Sequence, residues 1–102
     1  MLLPLEGIKA LDLSHALAGP FCSTMLADYG AEVIKIEPPG LGDIARAWGS
    51  PLPGGEADYF ASLHRNKKGM VLNLKTPEGK NTFLRMVERC DVVLENYRVG
   101  AL

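Results

Sequence analysis

Two histidines and two cysteines are the side chains here best suited to proton transfer, nucleophilic attack or metal binding. His15 lies in a run of small residues, Ser14 to Gly19, with no acid next to it in sequence to orient its ring. It reads either as an acid–base group or as a polar turn residue. Cys22 and Cys90 are far apart and match no metal-ligand spacing, so no metal is expected. They read as small buried side chains in a reducing compartment, Cys22 packing inward with Phe21 and Met25. The carboxylates are scattered over turns and helix faces, with no pair spaced for general acid–base work. His64-Arg65-Asn66-Lys67-Lys68 is the densest basic run, and Lys75 follows one strand later. It is either a solvated loop or an anion clamp, Arg binding phosphate bidentately and Lys as a point charge.

These residues need a frame. Ile8 to Leu13 is a short, mostly apolar run that predicts a strand. Pro20 suits the first position of a helix, Phe21, Met25 and Leu26 share one face, and Gly30 suits its C-terminal cap. Glu32 to Glu37 predicts a second strand, ended by Pro38-Pro39-Gly40. Residues 38 to 56 read as one long loop, and Tyr59 to Leu63 is open between helical turn and strand. Met70 to Leu74 predicts a third strand. Thr76-Pro77-Glu78 marks a helix start, with Phe83, Leu84, Met86, Val87 and Cys90 on its apolar face. Asp91 to Glu95 predicts a fourth strand. Strands joined through helices demand a parallel α/β sheet with right-handed crossovers. In such sheets ligands bind beyond the carboxyl ends of the strands. That rule selects Ser14 to Gly19, Glu37 to Gly40, Asn73 to Lys75 and Asn96 to Arg98. Structural turns occupy the same places in any α/β fold.

The bulk composition narrows the partners. With 47% apolar and 23% charged residues, 102 residues suffice for one packed unit and give no sign of disorder. Eleven basic and twelve acidic side chains leave a net charge of −1, so neither nucleic acid nor an anionic membrane is an expected partner. A small anionic ligand fits better than a polymer. The apolar Met1-Leu2-Leu3 is stopped by Pro4 and Glu6, so no targeting signal is read. The expected compartment is the cytoplasm, or the mitochondrial matrix in a eukaryote. No G-x-G-x-x-G accompanies Glu37 at the end of the second strand, which argues against a nicotinamide cofactor, and no Walker sequence is present. The alternation calls for another helix after the fourth strand, which suggests an incomplete unit.

The residues from Leu11-Asp12-Leu13-Ser14 through Ala18-Gly19-Pro20-Phe21, then from Leu26 to Glu37, resemble the start of the class III CoA-transferases. That family includes L-carnitine, formyl and glutarate CoA-transferases and α-methylacyl-CoA racemase. Gly42-Asp43, Arg46, Tyr59-Phe60, Arg65 to Lys68, Leu72 to Lys75, Pro77-Glu78-Gly79 and Asp91 to Tyr97 extend the resemblance over essentially the whole chain. It implies a Rossmann-like parallel sheet with flanking helices, residues 1–102 being the incomplete N-terminal part of the CoA-binding domain of a larger, interlocked homodimer. The implied reaction moves CoA from an acyl-CoA to a carboxylic acid, with CoA as substrate and no permanently bound cofactor. By resemblance Leu17 and Ala18 line the thioester end of the CoA site. Leu72, Asn73, Leu74 and Lys75, with Asn96, Tyr97 and Arg98, contact its nucleotide or pantetheine part. The family's nucleophilic aspartate has no counterpart here, so no catalytic residue is nominated and the segment alone is expected to be inactive. Leu17 stands where the formyl/oxalate branch carries Gln, which argues against oxalate. Pro38 stands where that branch carries Arg, so a phosphate or adenine contact from that position is either lost or supplied elsewhere, Arg46 or Lys75 being the candidates. Two other readings remain: a racemase segment, needing a proton-transfer pair, and a non-catalytic CoA-binding module.

Overall fold

A computed structural model of the chain describes residues 3–15, 18–40 and 66–97. Leu17, the loop over 41–56, Tyr59 to Leu63, His64, Arg65 and Arg98 lie outside the described residues. Strands β1 (Lys9–Asp12), β2 (Glu32–Glu37), β3 (Lys68–Val71) and β4 (Val92–Leu94) form one sheet in the order β3-β2-β1-β4, every neighbouring pair parallel. Helix α1 (Ala18–Asp28) joins β1 to β2, and α2 (Pro77–Val87) joins β3 to β4. The order steps one way from β1 to β3 and then returns to the far side of β1. That reversal beside β1 is where ligands bind in such sheets, beyond the carboxyl ends of the strands.

Strand alternation divides the core in two. Ala10 and Val33 face α1 and pack with Ala27 and Ala31. Leu11, Leu13 and Ile36 face the other side, against Phe83, Met86, Val87 and Cys90 of α2 and the turn after it. Thr76 caps α2 by accepting the Gly79 N–H at 3.1 Å, with Pro77 at the first position and Glu78 in the first turn, as the sequence predicts. Gly30, at φ +107°, closes α1. Its N–H donates to Ala27 and that of Ala31 to Leu26, the paired bonds of a Schellman motif.

Several expectations need correction. α1 begins at Ala18, not Pro20, and Phe21, Met25 and Cys22 face outward. The buried face is Gly19, Pro20, Ser23, Thr24 and Ala27. The sheet beneath offers Ala10, Asp12, Val33 and Lys35, which small and hydroxyl-bearing residues fit and large apolar ones do not. Leu84 is exposed, because only Phe83, Met86, Val87 and Cys90 repeat at the spacing of one helical face. β3 runs over Lys68–Val71 and not Met70 to Leu74. After a last ladder bond from the Leu72 N–H to Glu37 O, Leu72 and Leu74 leave the strand and pack against the α2-side core.

Candidate functional site

At the carboxyl end of β1 the chain buries charge. Asp12 is fully buried, and Lys35, Glu37 and the Lys67 side chain are nearly so. Asp12 Oδ1 accepts the Ser14 N–H at 2.8 Å and the Ser14 hydroxyl. Asp12 Oδ2 accepts the Ser23 hydroxyl and Lys67 Nζ, the latter at 3.1 Å. Lys67 also donates to Pro20 O at 2.9 Å, and Lys35 Nζ donates to Ser14 O. Two ammonium groups and two carboxylates balance in charge, which burial requires. Burial pushes the Asp12 carboxyl upward. The Ser14 and Ser23 hydroxyls and the Lys35 and Lys67 charges outweigh it, holding Asp12 below the usual carboxylate range.

The turn after β1 is tied sideways to the loop after β4. The Asn96 carboxamide accepts the His15 N–H at 3.0 Å and donates to His15 O at 2.9 Å. Tyr97 reaches the same residue, its hydroxyl 2.6 Å from His15 Nε2, the rings packed edge to face at 5.1 Å. The partner of His15 is thus a phenol from the fourth strand's loop, which no local spacing could reveal. A Cβ on Gly19 would lie 2.2 Å from Ser14 Cβ, so only glycine lets α1 start this close to the turn.

Beside this junction lies a cleft of about 270 Å³ lined by Leu13, Ile36, Glu37, Pro38, Leu72, Asn73, Leu74, Lys75 and Tyr97. Three of the four places chosen from sheet topology contribute to it. Its walls are mostly apolar, and Glu37 and Lys75 are the charged residues among those that line it. The Asn73 side chain accepts the Lys75 N–H at 3.0 Å, and Asn73 O accepts the Thr76 hydroxyl at 2.9 Å. These bonds set the loop that carries Lys75. Such a cleft suits an elongated ligand with apolar stretches and an anionic group near Lys75.

Leu72, Asn73, Leu74, Lys75 and Tyr97 thus share one cleft, whereas Asn96 clamps His15 and Ala18, exposed, opens α1. Asp12 and Lys35 are the polar residues that sequence reading missed, and Lys67, expected in a solvated loop or an anion clamp, is instead buried against Asp12. The signal for the first two was alternation, which puts Asp12 on the face of Ala10 and Lys35 on that of Val33. Asp12 has both carboxylate oxygens occupied, and Asp91 accepts the Lys9 N–H at the amino end of the sheet. Neither suits a nucleophile. Among the described residues no group of three or more His, Cys, Asp or Glu side chains could hold a metal ion. Among them no helix is long and apolar enough to cross a membrane.

Known proteins resemble the chain along its length. It is 50% identical over 99 residues to human succinyl-CoA:glutarate CoA-transferase, which covers 97% of this chain and 23% of that protein. It is also 50% identical to succinyl-CoA–D-citramalate CoA-transferase of Chloroflexus aurantiacus (97% and 25%) and 42% identical to formyl-CoA:oxalate CoA-transferase of a Bradyrhizobium species (96% and 23%). A CaiB/BaiF family protein from Brucella suis superposes with a TM-score of 0.92 at 39% identity, covering 100% of this chain and 28% of that one. A hypothetical protein from Mycobacterium tuberculosis does so with a TM-score of 0.86 at 41% identity, covering 96% and 26%. The chain spans about a quarter of the length of these relatives. The profile of CoA-transferase family III matches residues 5–102, and the chain belongs to that family.

Proposed function

We propose that this chain forms part of the coenzyme A cradle of an enzyme that moves CoA from an acyl-CoA to a carboxylic acid. The observation that carries this reading is the cleft, in which Leu72, Asn73, Leu74, Lys75 and Tyr97 meet at the carboxyl ends of the strands. Its apolar walls suit the pantetheine arm or adenine, and Lys75 suits a phosphate. On the family resemblance, Ala18 at the start of α1 belongs near the thioester end, and Asn96 acts through His15, whose backbone it holds. A nucleophilic aspartate outside these 102 residues attacks the thioester carbonyl and releases the CoA thiolate, giving a mixed anhydride. The thiolate then attacks the aspartyl carbonyl and the first acid leaves; the acceptor carboxylate attacks the resulting aspartyl-CoA thioester, expelling the thiolate, which attacks the acceptor's carbonyl in the new anhydride and frees the aspartate. Coenzyme A is a substrate throughout, and no resident cofactor is needed.

The relatives named for succinyl-CoA make it the first donor to try, with glutarate and citramalate as acceptors and oxalate as the contrast. The test is chromatography of the acyl-CoA products formed by the full-length reading frame that contains this chain. The expected product is the acceptor's CoA thioester, with succinate released. Failure to bind coenzyme A, together with no product from any acceptor, would sink the reading. Sedimentation of the same sample tests the proposed homodimer.

A further inference from the structure

We propose that the buried pair Asp12–Lys67, with Ser23 and Lys35, positions the turn between β1 and α1 for the coenzyme's thioester end, an inference that rests on the transferase reading above. Stability alone is a poor account of the pair. Well-packed apolar residues of similar volume usually serve a core as well as a buried ion pair does, or better. Apolar side chains cannot, however, hold backbone polar groups. This network ends on the backbone at both ends of the turn. The Ser14 N–H donates to Asp12 and Ser14 O accepts from Lys35. Pro20 O accepts Lys67 Nζ at 2.9 Å and the Thr24 hydroxyl at 2.9 Å. Lys67 comes from 47 residues beyond Pro20, just before β3, so the turn is fixed by an element remote in sequence. Asn96 holds His15 from the side. The chain is thus held at Ser14 and His15 where it leaves β1 and at Pro20 in the first turn of α1, at the carboxyl end of β1 where topology places a ligand.

These are positioning residues: they act through the backbone at Ser14 and Pro20. The test uses the full-length protein, coenzyme A as titrant in calorimetry, and amide hydrogen exchange. Lys67→Met is expected to weaken coenzyme A binding about tenfold through misplacement of the turn. Exchange should speed in a peptide spanning Leu13 to Phe21 and stay slow from Val33 to Ile36, and Lys67→Arg should recover part of both effects. Unchanged affinity and unchanged turn exchange would overturn the proposal. So would equal loss of protection in the turn and in β2, the mark of a merely structural role. Should Lys67→Met fail to fold, Ser23→Ala removes one neutral hydroxyl, and faster exchange confined to the turn is expected. Wild-type exchange in that variant would overturn the proposal. If the wild-type protein binds no coenzyme A, the transferase reading fails by itself, and the exchange data still decide whether the network holds the turn.

Discussion

An aspartate in an unfolded chain titrates near pH ~3.9, whereas folded Asp12 titrates lower, held down by its hydroxyl and ammonium partners against the penalty of burial. The folded state therefore takes up that proton less readily than the unfolded state. The stability contributed by ionised Asp12 is fully present above about pH 3.9 and is lost as pH falls through the folded value. Asp12→Asn removes the carboxylate that Lys67 pairs with, and a loss of about 3 kcal/mol is expected at pH 7. Urea unfolding of both proteins at pH 7 and in acid should show the gap narrowing in acid; a constant gap would contradict the assignment. Lys75 is exposed and lines the cleft, so Lys75→Ala should weaken coenzyme A binding by a few-fold and leave the KM of the acceptor acid nearly unchanged. Equal effects on both would remove its phosphate role. The cleft residues were legible because topology alone points to the carboxyl ends of the strands. Asp12 and Lys35 were not, because charged side chains are ordinarily assigned to the surface.

β2 and α2 could be read almost residue by residue. Glu32–Glu37 is bounded by Ala31 and Pro38, and α2 carries a cap, a proline and an acid in the right order. α1 was legible as a helix but not in its first residues or its orientation. Its large apolar residues suggested an inward face, but the faces of β1 and β2 beneath it carry Asp12 and Lys35 and require small partners. Pattern within a helix cannot reveal what the facing sheet demands. Gly19 is where that close approach is tightest. Gly19→Ala sets a methyl against Ser14 Cβ, and Asn96 Cγ lies 3.5 Å away on another side. The expected cost is about 1–3 kcal/mol, read as a lower urea midpoint with unchanged slope. A neutral result would mean that α1 can retreat from the turn.

Over the whole molecule, parallel pairing and the β3-β2-β1-β4 order bring places distant in sequence to one end of the sheet. That convergence was legible from element order, because parallel strands force every crossover to leave from the same end. The outer surface was not legible. Phe21, Met25 and Tyr29 are 55%, 47% and 54% exposed along one side of α1. About half of Phe21 remains covered, so Phe21→Ser should lower the unfolding free energy by no more than about 1 kcal/mol. The cleft groups lie within the chain, whereas the described aspartates are poor nucleophiles: Asp12 is saturated with donors, Asp28 accepts from Asn66, and Asp91 caps the amino end of the sheet. With succinyl-CoA and glutarate the 102-residue chain should therefore yield no glutaryl-CoA above the uncatalysed background. Turnover by the purified chain would place a working nucleophile inside it and overturn the proposed division of labour.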